Sequence, residues 1–307
     1  MTKKKVTNVP ASIRDRLFRQ SLAAQEPFQQ VLERFATDRL LYRMSASRHR
    51  DSFVVKGAFL LTAWGGNMYR PSRDLDFQGY GDNALEHVRR VFQEVARFPA
   101  PTDGLLFDAD AIVIERILEE EEYQGVRLRI PVHLADAKIV VRVDVGFGDV
   151  ISPAPLEITF PAMLYQPPAH MRGYPPETVI AQKFHAMVKL ERRNGRMRDF
   201  RDVWSLARNR AFVCGTLATA IRDTFARRGT DLPTGMPLPL SDAFAGDAGV
   251  IERWEAYRNL ATDVETLPPI LDLVAAMRGF LMHPLACIQD AGLSEERWEA
   301  GGPWRRP

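Results

Sequence analysis

Arg70-Pro71-Ser72-Arg73-Asp74-Leu75-Asp76-Phe77 is the stretch on which the fold of this chain turns. In a strand, residues two apart share a face, so Ser72, Asp74 and Asp76 project together while Leu75 and Phe77 turn away and pack. Two carboxylates held a few ångströms apart repel each other unless a cation lies between them. A divalent metal gives a reason to build such a pair. Mg²⁺ takes one or two protein carboxylates and completes its shell with water and substrate phosphates. Two such ions can clamp the attacking and leaving oxygens of an in-line displacement. A bare DxD match is nevertheless common by chance, and on its own a solvated strand edge or turn is the simpler account.

Working outward, a third carboxylate shifts the balance. In Val141-Arg142-Val143-Asp144-Val145-Gly146 the valines alternate with Arg142 and Asp144, which puts Asp144 on the polar face of an otherwise buried strand. If this strand runs beside that of Asp74 and Asp76, all three carboxylates converge; an ion pair with a neighbouring basic residue is the alternative. Upstream, Val54-Val55-Lys56-Gly57-Ala58 places a glycine at a strand-to-helix junction. Backbone there can approach a phosphate closely, with helix N–H groups aimed at it, although many such turns carry glycine without a ligand.

The rest of the chain divides by texture. Residues 11–44 read as helical, with Leu17, Leu22, Phe28, Val31, Leu32, Phe35, Leu40 and Leu41 recurring at three- and four-residue steps. Residues 53–55 predict a short strand, 58–64 a helix stopped by Gly65-Gly66, 75–77 a second strand and 83–95 an amphipathic helix. Residues 111–117, 126–134 and 139–147 are β-branched runs punctuated by Gly125 and Ala135-Asp136-Ala137, the pattern of an antiparallel meander. The proline-rich stretch 153–176 reads as a crossing segment between domains. Helical composition returns over 177–208, 215–228, 251–260 and 268–282, with a loop at 229–249 and a loose tail at 301–307. The expectation is an α+β fold with a mixed or antiparallel sheet at residues 51–165, an N-terminal helical region at 1–50 and a C-terminal helical domain at 166–307.

These motifs, in this order, are similar to those of the polymerase-β-like nucleotidyltransferases. More narrowly, Lys56-Gly57-Ala58, the Arg70 to Asp76 run and the region from Glu177 to Trp204 resemble the AbiEii/AbiGii toxin family, which includes the MenT toxins of bacterial toxin–antitoxin pairs. The resemblance spans roughly residues 31–204 and fades in the C-terminal third. It implies a polymerase-β-like core in which Asp74, Asp76 and Asp144 hold Mg²⁺ or Mn²⁺. One departure is Ala58, where the wider superfamily carries Ser or Gly; Ser72 is expected to supply the missing hydroxyl, or backbone N–H groups to suffice.

The family's later motif is a lysine on a helix followed by an acidic-basic cluster, here Lys183 and then Arg196-Met197-Arg198-Asp199-Phe200-Arg201-Asp202. Helical spacing argues independently. Val179, Ile180 and Met187 lie at i−4, i−3 and i+4 from Lys183, so the lysine sits on or beside an apolar stripe. It must reach an anion or snorkel to water. Asp199 and Asp202 share a helix face. The resemblance marks this segment as functional, with Asp202 the first choice as catalytic and Asp199 and Arg198 at the substrate. It also puts Lys56, Gly57, Arg70 and Ser72 among the substrate-binding residues. The basic run Lys189, Arg192, Arg193, Arg196, Arg198 and Arg201, with the cluster Arg43, Arg48, His49 and Arg50, is a candidate surface for RNA phosphates, although such runs are usually solvated.

Composition removes other classes. With 307 residues, 46% hydrophobic and 26% charged, the chain can bury a substantial core, and its net charge of +2 gives no global argument for nucleic acid. Cys214 and Cys287 are far apart with no CxxC pair, which argues against a disulfide framework and against a cysteine zinc site. No secretory signal follows the basic start and no uninterrupted apolar run reaches membrane-spanning length, so a cytoplasmic protein without a membrane partner is expected. HExxH, GxxxxGK[ST] and GxSxG motifs are absent.

The activity expected is NMP transfer from an NTP to an acceptor hydroxyl with release of pyrophosphate. By resemblance the acceptor is the 3′ end of tRNA, the outcome is blocked translation, and an AbiEi-like antitoxin is the cognate partner. Nucleotidylation of a protein, phosphoryl transfer at the same site and a non-catalytic NTP- or RNA-binding module are the alternatives.

Overall fold

A computed structural model of the chain describes residues 8–65, 74–100, 103–119, 123–260, 266–289 and 294–306. It divides into two units, residues 1–148 with 156–173 and residues 149–155 with 174–307.

In the first unit, helices α1 (Val9–Ala24) and α2 (Phe28–Ala46) replace the single helical run read from the sequence. Gln25 adopts a left-handed conformation (φ 53°) and closes α1 through its N–H to Leu22, and Pro27 then caps α2. There follow β1 (Phe53–Lys56), α3 (Phe59–Gly65), β2 (Asp74–Gly79), α4 (Leu85–Arg97), β3 (Leu106–Phe107), β4 (Val113–Glu119), β5 (Tyr123–Leu134), β6 (Ala137–Phe147), β7 (Leu156–Phe160) and β8 (Ala169–Gly173). The eight strands form one mixed sheet in the order β3-β5-β6-β2-β1-β8-β7, with β4 also paired to β5. The expected antiparallel meander is β4-β5-β6. Strand β2 enters beside it, parallel to β6 and antiparallel to β1. The α+β organisation read from the sequence is therefore the one formed.

Burial alternates from Asp74 to Phe77 at the start of β2. Leu75 and Phe77 are fully buried, and Phe77 meets Phe53 and Phe92 at centroid distances of 5.5 and 6.3 Å. Truncating such a side chain to alanine costs about 3–5 kcal/mol. This packing fixes which edge of the strand Asp74 and Asp76 present. A buried ionic network adds rigidity behind the sheet: Arg43 forks onto Asp103 at 2.5 and 3.1 Å, and Arg39 donates to the Pro167 carbonyl at 2.8 Å.

The proline-rich stretch is not a bare crossing segment, which corrects the sequence expectation. It holds the antiparallel hairpin β7-β8, and β8 joins β1 in parallel at Val55↔Gly173. Pro155, Pro161, Pro167 and Pro168 flank the two strands, where no ladder hydrogen bond is lost, and Pro175 and Pro176 begin the helix that follows.

The second unit comprises α5 (Pro176–Leu190), α6 (Met197–Asn209), β9 (Phe212–Val213), α7 (Cys214–Arg227), α8 (Asp242–Ala245), α9 (Ala248–Leu260), α10 (Ile270–Gln289), β10 (Arg297–Trp298) and β11 (Trp304–Arg305). Its core gathers Phe184, Phe200, Phe225, Phe244, Trp254, Met277 and Phe280. By length and composition α10 could cross a membrane, but Leu273, Val274, Met277, Phe280, Leu281 and Leu285 are buried in this helical core. The expected loose tail is also corrected. Strand β11 pairs with β10, and the Trp304 indole donates to the Phe280 carbonyl at 2.9 Å. Pro284, inside α10, has no N–H to give that carbonyl, so the tryptophan satisfies it instead.

Candidate active site

Strand register lays a row of charge across the sheet. Lys56 on β1 faces Asp76 on β2, Asp76 faces Asp144 on β6, and Asp144 faces Arg127 on β5. Residues opposite one another in a ladder share a face, so the sequence Lys–Asp–Asp–Arg crosses four neighbouring strands on one side. Asp74 lies two residues from Asp76 on that same face and is exposed, while Asp76 and Asp144 are partly exposed. Asp74 pairs in register with Arg142, and Arg142 with Arg129, so the adjoining row is also charged.

Gly57 closes this row at the end of β1. Its φ of +72° lies in the left-handed region, and a Cβ there would stand 2.1 Å from Asp76 Oδ2. Glycine is thus required twice, by conformation and by the close approach of the Asp76 carboxylate. The site expected at this turn for a phosphate is built against a carboxylate.

Arg127 is the residue that sequence reasoning did not find. Its guanidinium forks onto Asp144 at 2.8 and 2.7 Å. That bond raises the arginine's pKa, with Asp144, Asp74 and Glu115 adding Coulombic attraction against a desolvation that lowers it. Both readings of Asp144 therefore hold together: it lies beside the DxD strand and it is ion-paired. A signal was present, since counting back from the turn Ala135-Asp136 places Arg127 opposite Asp144. Three carboxylates on one face with Gly57 giving room at Asp76 are a hard-oxygen donor set, which fits a divalent cation such as Mg²⁺ or Mn²⁺.

The helical unit holds a second cluster. Lys183 on α5 donates to Asp199 at 2.5 Å and lies 3.0 Å from Asp202, both on α6. The turn between the helices is set by buried Asn194, whose side chain accepts from the Arg196 N–H at 2.8 Å. Burial pulls the lysine's pKa down, but the two aspartates outweigh it and the net shift is upward. Lys183 is therefore a fixed cation. Asp202 and Arg201 are completely buried, their charged groups 3.5 Å apart, whereas the Asp199 side chain is 14% exposed. Of the two aspartates, Asp199 has the access to solvent that a substrate would need.

The remaining candidates separate. Arg70 and Ser72 lie outside the described residues. Arg198 is exposed on the first turn of α6, as are Arg192, Arg193 and Arg196 before it, whereas Arg201 is buried and leaves the candidate basic surface. The second basic cluster is also corrected: Arg43 is buried on Asp103, Arg48 and His49 bind Glu94, and Arg50 binds Glu157. Neutralised in this way, it offers little for RNA phosphates.

Comparison with known proteins agrees with the class that this sheet and its acids suggest, a nucleotidyltransferase. Residues 39–276 match the family described as nucleotidyl transferase AbiEii toxin, type IV toxin–antitoxin system. The chain belongs to this AbiEii family, for which a type IV system implies an antitoxin partner. Nucleotidyltransferases of this kind typically use divalent metals. Among solved structures it is similar to JHP933 from Helicobacter pylori, at 14% identity and a TM-score of 0.46, covering 82% of this chain and 90% of that one. It is also similar to an H. pylori candidate nucleotidyltransferase, at 13% identity and a TM-score of 0.45, covering 91% and 96%. No curated protein matches it.

Proposed function

We propose that this chain transfers a nucleoside monophosphate from an NTP to the 3′ end of tRNA, blocking translation until an AbiEi-like antitoxin neutralises it. The observation that carries the proposal is the register pairing of Asp76 with Asp144 on adjacent parallel strands, with Asp74 on the same face. The reacting carboxylates are assigned to the sheet unit, residues 1–148 with 156–173, and Lys183 to the helical unit, residues 149–155 with 174–307.

In this mechanism Asp74, Asp76 and Asp144 hold Mg²⁺ or Mn²⁺. When bound, the metal supplies Lewis-acid stabilisation of the charge developing on the phosphates. Lys56 and Arg127 flank the acids and offset their charge. Asp144 stands nearest the acceptor; release from Arg127 frees an oxygen to take the hydroxyl proton, and the guanidinium then faces phosphate. Lys183, held charged by Asp199 and Asp202, is the phosphate-neutralising residue of the helical unit, with Ser72, Arg70 and Gly57 assigned to the triphosphate. Exposed Arg192, Arg193, Arg196 and Arg198 are suited to RNA backbone phosphates.

The test incubates the chain with each labelled NTP, Mg²⁺ and total tRNA, beside Asp74→Ala/Asp76→Ala. Label on RNA with the wild type alone is the expected result. Label on protein instead, or tight NTP binding without incorporation, contradicts it.

A further inference from the structure

Cys214 and Cys287, remote in sequence, come together in the second unit with their sulfurs 3.1 Å apart and unbonded. His283 lies one helical turn before Cys287 on the same face of α10, its Nε2 3.9 Å from the Cys287 sulfur. The ligand atoms of Cys214, His283 and Cys287 all lie within 4.8 Å of one another. A fourth donor arrives from the C-terminal segment. The β9-β10 ladder and the bonds from Cys214 N–H to the Glu296 carbonyl and from Gly215 N–H to the Ser294 carbonyl, both 2.9 Å, hold that segment against the start of α7. The Glu296 carboxylate there contacts His283 Nε2.

We propose that Cys214, His283 and Cys287 form a site for a thiophilic divalent cation of the zinc class that ties the start of α7 to α10, with the neighbouring Glu296 carboxylate completing the shell. A tetrahedral zinc ion with bonds of about 2.0–2.3 Å needs neighbouring ligand atoms roughly 3.5–3.8 Å apart. The Cys214–Cys287 and His283–Cys287 spacings of 3.1 and 3.9 Å bracket that requirement, whereas Glu296 touches His283 Nε2 and must part from it to become a ligand. A disulfide would account for the two cysteines and leave the convergence of imidazole and carboxylate without a reason. Donor chemistry also sets this site apart from the sheet: sulfur and nitrogen select zinc, whereas the all-oxygen set at Asp74, Asp76 and Asp144 suits magnesium. The Trp304 ring lies 5.5 Å from His283 and packs in turn on Phe280, covering one side of the site. His283, Cys287 and Glu296 lie beyond residue 276, where the family match ends, whereas Cys214 lies within it.

The test uses the full chain, reduced and stripped with chelator, titrated with Co²⁺. The expected result is thiolate-to-cobalt charge-transfer absorption and intense tetrahedral visible bands saturating at one equivalent and displaced by Zn²⁺. Carboxylate-bound cobalt in the sheet would give no thiolate band. Zn²⁺ should also protect both thiols from alkylation. His283→Ala and Cys287→Ser should weaken binding at least about tenfold with unchanged circular dichroism; if the cysteine variant misfolds, the partly exposed His283 position carries the comparison. Absence of the charge-transfer band, unchanged Co²⁺ affinity in His283→Ala, or a Cys214–Cys287 disulfide that Zn²⁺ does not prevent would overturn the proposal.

Discussion

The charged row of the sheet and the Lys183 cluster of the helical unit use the same residue types to different ends. In the sheet, Asp74, Asp76 and Asp144 are laid side by side by strand register and remain open to solvent on one face. Their charge is balanced from the flanks, by Lys56 and by an Arg127 side chain that is itself 39% exposed. Such charges can exchange partners at low cost. In the helical unit, Asp202 and Arg201 are fully buried, and Lys183 reaches two carboxylates at once. Removing one member there strands the others without water. Access, rather than the identity of the residues, separates the open carboxylates of the sheet from the buried Arg201–Asp202 pair of the helical unit.

The largest effect that would sharpen this contrast is on transfer. Asp76→Ala should lower NMP incorporation on the order of 10³-fold with little change in the urea midpoint, because a mutually repelling carboxylate is lost. A large fall in stability at this position would erase the distinction. Asp202→Ala should do the reverse and destabilise the chain by about 3–5 kcal/mol, read by urea denaturation, with Asp199→Ala costing clearly less. Arg127→Gln comes next. In chelator it should cost about 1 kcal/mol or less, since the pair is partly exposed, and added Mg²⁺ should recover most of that; no recovery would show that Arg127 does not stand in for a cation. The smallest effect separates burial from architecture. Asp38 belongs to the sheet unit yet is buried, and desolvation raises its pKa from 3.8 to about 6 against the pull of Arg39. A raised pKa contributes stability below the unfolded value and loses it as pH rises through about 6. The stability of Asp38→Asn relative to wild type should therefore rise between about pH 5 and about pH 7; a difference constant across that window would contradict the assignment.

Much of this was legible in the chain. Strands β2, β5 and β6 could be read because valine and leucine alternate with polar residues, and that alternation also oriented Asp74, Asp76 and Asp144. The β7-β8 hairpin was hidden because prolines dominate its stretch, although they lie outside the two strands and leave Ile158, Phe160, Ala169 and Met171 to alternate inward. Arg127 was missed because its partner is set by cross-strand register, which helix and strand periodicities do not carry. The burial of Arg201 and Asp202 was invisible for a related reason. Helical spacing gives a residue's face, while the packing of α5 against α6 decides whether that face sees water.

The row of Asp76 and Asp144 as a divalent-cation site is most directly tested by Mn²⁺ binding, followed by electron paramagnetic resonance, in wild type and in Asp74→Asn/Asp76→Asn. The account predicts that the double variant keeps the wild-type unfolding midpoint and loses Mn²⁺ binding together with transfer. Undiminished Mn²⁺ binding in a folded double variant would contradict it.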